Sequence, residues 1–238
     1  MLKSMARHLG FVPILLGLLS LALLAVSVWG YRAGGWPWPK AYDLAGWGVW
    51  IALAGVFVAL TALAGAFRKS NTAFIALIGL ILSLPVAGLG IAFEIAARTT
   101  PPINDISTDT EDPPVFWFTA TPTDYPAQNA APQRSAYPDV RSLNLLITFD
   151  DAFAKALALV KTRGWEVLSA DPAENQIEAI ARSRVFGFED EVAVRVTETE
   201  AGTRIDMRSR SRLGQIDRGA NARRIEAFLA ELQSQVTE

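Results

Sequence analysis

Three apolar runs open the chain, Leu9 to Trp29, Leu44 to Phe67 and Thr72 to about Ala97. A helix rising 1.5 Å per residue needs about 20 residues to cross the hydrocarbon of a bilayer, and each run meets that length. Core helices of soluble proteins rarely run so far without an internal charge, so the pattern predicts three transmembrane helices in succession. Trp29, Tyr31, Trp36, Trp38, Tyr42, Trp47 and Trp50 gather about the first connection, as aromatic residues do at a membrane–water boundary.

The pattern changes after Arg98. Residues 99–140 carry eight of the 13 prolines and the acids Asp105, Asp109, Glu111 and Asp112, which predicts an extended connector without regular helix or central strand. Its block Val115-Phe116-Trp117-Phe118 is too apolar for a free tether and is expected to lie down on the following domain. From residue 141 the periods of strand and helix alternate. Leu143 to Thr148 reads as a strand, and Thr148 with Asp151 starts a helix whose buried stripe is Phe153, Leu157 and Val160 and whose stop is Gly164. Strands follow at Trp165 to Ala170, Gln176 to Arg184, Asp190 to Glu198 and Thr203 to Leu213. The last pair turns at Ala201-Gly202, and a final helix carries Ile225, Phe228, Leu229, Leu232 and Val236 on one face. The order β-α-β-β-β-β-α predicts an α+β fold, an antiparallel sheet with two helices on one face, behind three membrane helices. The organisation expected is an anchor at 1–98, a linker at 99–140 and a soluble domain at 141–238.

Alternation along the strands assigns the two faces of the sheet. Val192, Val194, Val196, Ile205, Met207 and Leu213 face the helices; Arg204, Asp206, Arg208, Arg210 and Arg212 face away. Counting back from the turn sets Arg195 against Asp206, Glu191 against Arg210 and Glu189 against Arg212. Extension to the preceding strand sets Arg182 near Glu191 and Glu178 near Arg195. The arginine run therefore reads as a cross-strand charge ladder on a solvated face rather than as a phosphate-binding platform. Ser183, Asp190, Ser209 and Ser211 share the inward parity although they are polar, and all lie toward one end of the sheet. Asn221 falls on the buried stripe of the last helix, and Asp217 is placed to cap it. Polar groups taken out of water must find partners, so these residues either satisfy one another or line a small polar pocket.

Charge and composition narrow the chemistry. Through Arg98 there are seven Lys and Arg against two acids, and beyond it 15 against 22, so the net −2 of the 238 residues averages a basic anchor and an acidic domain. An acidic domain disfavours nucleic acid as a partner. Cysteine is absent and the one histidine is His8, which excludes thiol chemistry, Cys/His zinc sites and any imidazole base in the soluble part. No catalytic residue, metal ligand or cofactor is assigned. Lys3, Arg7, Arg68 and Lys69 against Arg32, Lys40 and Arg98 favour a cytoplasmic amino terminus, which three passes convert into a periplasmic domain.

The stretches RSRVFGFEDEVAVRV (Arg182 to Val196) and RSRSRLGQIDRGANARRIEAF (Arg208 to Phe228) resemble the domain of unknown function 1499 family of bacterial proteins. The family pattern falls on Arg182-Ser183, Phe186, Phe188, Asp190-Glu191, Arg208-Ser209, Ser211-Arg212, Gly214, Asp217, Gly219, Asn221 and Arg223-Arg224. Arg210 and Arg218 depart from it, standing where a small and an apolar residue are usual. The resemblance is strongest over 176–230, reaches back to about Pro101 and implies a recurrent domain without naming an activity.

These readings together point to an envelope protein of the bacterial inner membrane. Its partners are the lipid bilayer and an envelope protein or small polar ligand, and its candidate ligand-binding residues are Ser183, Asp190, Arg208, Ser209, Ser211, Arg212, Asp217 and Asn221. The competing expectation is a carboxylate-dependent hydrolase of an anionic envelope substrate, with Asp190 or Asp217 as base and Arg208 or Arg212 holding the substrate.

Overall fold

Small residues decide how the apolar helices meet. In the computed structural model, which describes residues 11–65, 70–119 and 122–237, α1 spans Val12–Arg32, α2 Trp38–Gly65 and α3 Ser70–Thr99. Gly17, Ser20, Ser27, Gly48, Ala52, Gly55, Ala59, Ser83 and Ala87 are buried between them. Contact is close enough that a methyl group on Gly48 would stand 3.2 Å from the Ser20 carbonyl oxygen, and one on Gly79 would stand 2.3 Å from Pro13 Cβ. The Ser27 hydroxyl donates to the Ala41 carbonyl at 2.5 Å and ties the α1–α2 hairpin near its turn, where Lys40 stands 4.9 Å over the Trp36 ring. The outward faces stay apolar: Leu15, Trp29, Trp47, Trp50, Phe57, Phe74 and Ile81 are all exposed. A helix bundle with small residues inside and large apolar side chains outside is the arrangement that lipid stabilises and water does not, and all three helices are long and apolar enough to cross a membrane. The charges Lys3, Arg7, Arg68 and Lys69 used to orient the anchor lie outside the described residues.

The second unit, Ala96–Glu238, is built on one antiparallel sheet. Its strands are β1 Asp105–Ser107, β2 Leu143–Leu145, β3 Glu166–Asp171, β4 Gln176–Arg182, β5 Glu189–Thr199 and β6 Gly202–Ser211. The main order is β1-β6-β5-β4-β3, and β2 joins β1 on the same edge of β6, the two short strands lying end to end against residues 208–210 and 203–205. Short α4 (Ala130–Ala136) lies before β2; α5 (Phe149–Thr162) and α6 (Ala220–Thr237) pack on the sheet. Thr148 caps α5 by accepting the Asp151 N–H at 3.2 Å, and Gly164 ends it in the left-handed conformation. The core is Phe153, Leu159, Val160, Ile177, Val192, Val194, Val196, Ile205, Met207, Ile225, Phe228 and Leu232. Gly202 is fixed by the β5–β6 turn: φ is +138°, and a Cβ there would lie 2.2 Å from the Leu145 carbonyl oxygen.

Two expectations change. The β5–β6 register is as counted, with Arg195 opposite Asp206 and Glu191 opposite Arg210, but β4 slides by two residues, so that Arg182 faces Glu189 and Glu178 faces Ala193. A two-residue slip keeps every side chain on its face, so hydrophobic parity could not detect it. More consequentially, much of the outer face is covered: Arg182, Arg204 and Arg212 stay partly exposed, but the charges between them do not. Residues expected as a connector without regular helix or strand supply β1 and α4, and the stretches 108–119 and 122–126 lie against β6, β5 and β4, leaving Gln176, Glu178, Glu191, Asp206 and Arg208 buried. Phe116, expected to dock, is 1% exposed.

Candidate functional site

Proline-rich chain leaves backbone donors and acceptors without secondary-structure partners, and a buried backbone group must be satisfied. The outward charges of the sheet satisfy them. Arg208 donates through Nη1 to the carbonyls of Pro114 (3.2 Å) and Thr123 (2.8 Å) while Nε and Nη2 grip both oxygens of Asp105 at 2.9 and 2.7 Å. Each partner of that pair is 1% exposed. Glu178 accepts the N–H groups of Trp117 (2.7 Å) and Phe118 (3.1 Å), and Gln176 donates to the Val115 carbonyl at 2.7 Å. The guanidinium groups of Arg208 and Arg210 each stand 4.7 Å from the centroid of the Phe116 ring.

Glu191 is the hub at the other side of this layer. It accepts from Arg210 Nε at 2.9 Å, from Arg212 Nε at 3.0 Å and from the Thr119 hydroxyl. Burial pushes its carboxyl up, but the Thr119 hydrogen bond and the Arg210 and Arg212 charges outweigh that and hold it below the usual range. Burial, with the Asp105 charge beside it, pushes the Tyr125 hydroxyl up to about 12. Asp206 collects the Ser142 hydroxyl at 2.5 Å, the Thr108 hydroxyl at 3.0 Å and Arg195 at 3.3 Å.

Across the sheet, on its helix-covered face, the inward polar residues form a second network. The Ser209 hydroxyl donates to Asn221 Oδ1 at 2.8 Å; Asn221 Nδ2 donates to the Ser211 hydroxyl (3.0 Å) and the Asn104 carbonyl (2.9 Å). Arg224 donates to the Ser209 hydroxyl at 2.7 Å, to Asn221 Oδ1 and to Asp190 Oδ2. Asp217 accepts the N–H groups of Gly219 (2.8 Å) and Asn221 (2.7 Å), which starts α6. Burial pushes the Asp217 carboxyl up, and the Asp190 charge adds to this against the opposing N–H bonds.

The eight candidate residues are thus divided by the sheet. Asp190, Ser209, Ser211 and Asn221 come together with Asp217 beside them on the helix side; Arg208 and Arg212 lie on the far side; and Ser183 belongs to neither network. Its hydroxyl accepts the Phe188 N–H at 2.9 Å and closes the β4–β5 loop. Sequence reasoning left out Arg224, Asn104 and Asp105. Arg224 was within reach: it stands three residues from Asn221 on one helix face, opposite an inward carboxylate that required a cation. Asn104 and Asp105 carried no such signal, since only their pairing with β6 brings them in. Among the described residues no three side chains of metal-binding type converge. A cleft of about 370 Å³ between Thr148, Phe149, Asp150, Asn175 and Glu198 lies at the hairpin end of the sheet, away from both networks.

No curated protein matches the chain. A family model described as a protein of unknown function, DUF1499, matches residues 105–232. The match begins at the first residue of β1 and ends at the last buried residue of α6, so it takes in the covering segment together with the sheet. With more than half of its length matched, the chain belongs to the DUF1499 family.

Proposed function

We propose that this is a non-catalytic protein of the bacterial inner membrane, in which three spanning helices present a periplasmic α+β domain that binds an envelope partner. The observation that carries the reading is the engagement of the chemically capable side chains with one another: Asp190 is held by Arg224, Asp217 by two backbone N–H groups, and Arg208 and Arg212 by Asp105, Glu189 and Glu191. A general base needs a free oxygen beside its substrate, and an arginine that clamps an anion needs unengaged donors. What the domain offers outward is apolar: Trp117 and Phe118, about half exposed, stand on a backbone pinned by Glu178. Rigid aromatic side chains are the usual anchors of protein interfaces.

Two measurements test this. Proteolysis of intact spheroplasts is expected to digest residues 99–238 while a cytosolic control survives; protection until lysis would reverse the topology. A photo-crosslinking residue in place of Trp117 is expected to give a discrete protein adduct that one in place of Leu146 does not. The opposing reading, hydrolysis through carboxylates or capture of a small polar ligand at the Ser209–Asn221 network, requires Asp190→Asn or Asp217→Asn to abolish turnover or binding with the melting temperature unchanged.

A further inference from the structure

The β4–β5 loop holds family-pattern residues that neither network uses. It is closed tightly, with the Ser183 N–H donating to the Phe188 carbonyl (2.9 Å), the Gly187 N–H to the Ser183 carbonyl (2.9 Å) and the Phe188 N–H to the Ser183 hydroxyl (2.9 Å). This closure stacks the Phe186 and Phe188 rings 5.1 Å apart and nearly parallel, and pushes Val185 outward to 54% exposure. Burying such a side chain would be favourable. At the same end of the sheet Leu213, which strand parity assigns to the helix side, is exposed instead, because β6 ends at Ser211 before reaching it. The acids here are engaged, Glu189 with Arg182 and Arg212 and Asp190 with Arg224; Arg184 and Arg223 are exposed residues, Arg223 also donating through Nη1 to the Arg218 carbonyl at 3.2 Å.

The position of this rim along the chain says what meets it. Thr100 is the first residue after α3, and a Cβ on Gly219 would lie 3.5 Å from Thr100 Cγ2. The Asp217 N–H donates to the Ile103 carbonyl at 3.2 Å, and Asn104 Nδ2 donates to the Gly214 carbonyl at 2.6 Å. Residues 214–219 are therefore joined to the chain within five residues of the end of an apolar helix, a span of about 17 Å even when fully extended. Apolar side chains rimmed by arginines, tethered that close to a membrane boundary, have the composition of an interfacial anchor.

We propose that the rim formed by Arg184, Val185, Phe186, Phe188, Leu213 and Arg223 rests in the headgroup layer of the membrane, its apolar residues entering the interface and its two arginines taking lipid phosphates. The proposal rests on the reading that α3 crosses the bilayer, and the experiment separates the two. The chain contains no cysteine, so Leu84→Cys in α3, Val185→Cys at the rim and Leu146→Cys at the other end of the sheet can each carry one environment-sensitive fluorophore. Full-length protein is placed in vesicles of phosphatidylcholine, with or without phosphatidylglycerol, containing a lipid-borne quencher. The label at 84 is expected to be quenched in both. The label at 185 is expected to be quenched at least about twofold more than that at 146, and more strongly on the anionic vesicles; Arg184→Gln with Arg223→Gln returns it to the neutral-vesicle value. Quenching at 84 with 185 as unquenched as 146 overturns the rim proposal alone. No difference between the vesicle types overturns the role of the arginines, and failure at 84 overturns the spanning reading and the rim with it. Shielding of 185 that persists in detergent and grows with protein concentration would give the rim to a second copy and overturn the lipid assignment.

Discussion

Replacing Asp105 by asparagine tests whether the outer charges of the sheet are a buried layer or a solvated ladder. The carboxylate and its partner Arg208 are each 1% exposed and joined by two hydrogen bonds of 2.9 and 2.7 Å. An exposed cross-strand pair contributes about 0.2–1 kcal/mol. Removing one charge of a buried pair leaves the other uncompensated in a medium that solvates it poorly, at a cost of about 3–5 kcal/mol. For a unit of this size that corresponds to a fall in melting temperature of roughly 10–20 °C. The assay is thermal unfolding of the full chain in mild detergent, followed by near-ultraviolet dichroism of the aromatic side chains. The double variant Asp105→Leu with Arg208→Met completes the cycle: with neither charge present it is expected to lose less than either single variant, within about 2 kcal/mol of the parent. A single-variant loss below about 1 kcal/mol, or additive losses in the double variant, would refute the buried layer.

Acidification is expected to destabilise the second unit through Glu191, whose carboxyl is held below its usual range: its contribution is complete above the unfolded value near pH 4.3 and disappears as pH falls through the folded one. Glu191→Gln should flatten the acid limb of stability against pH, and an unchanged limb would remove Glu191 from that role. Asp217, held above its usual range, acts in the opposite sense, its contribution being present at low pH and lost as pH rises. Asn221→Leu takes one hydrogen-bond partner from each of the Ser209 and Ser211 hydroxyls and the Asn104 carbonyl, with an expected loss of about 2–3 kcal/mol in denaturant unfolding; a neutral result would mean that the network is replaceable by packing. Gly202→Ala meets both a positive φ and the Leu145 carbonyl, so a loss of about 1–3 kcal/mol and faster amide exchange along β2 are expected.

Local periodicity was sufficient for much of this molecule. Strands and helices alternate in their hydrophobic period, so the three apolar helices, the Thr148 cap, the β5–β6 hairpin with its register and the stripe of α6 could all be read from residues close together in the chain. The inward polar set was legible for the same reason: Ser209, Ser211 and Asn221 break an otherwise apolar parity, and a broken parity has to be compensated nearby.

The outer layer was a different matter. A charged outward face looks the same in sequence whether water or another segment covers it, because alternation records only that the side chains are polar. Prolines at 99–140 correctly exclude regular structure from most of that segment, but exclusion of helix and strand does not predict exposure. What settled it was the pairing of Asp105 with Arg208, and of Glu178 with the Trp117 and Phe118 N–H groups, over separations of 103, 61 and 60 residues. The sequence by itself determined an apolar anchor, an α+β domain and the two faces of its sheet, since those depend on local periods of hydrophobicity. Only the tertiary structure decided that much of one face is covered by the preceding segment and that the candidate residues fall on opposite sides of the sheet, since both depend on which distant backbone groups the buried charges satisfy.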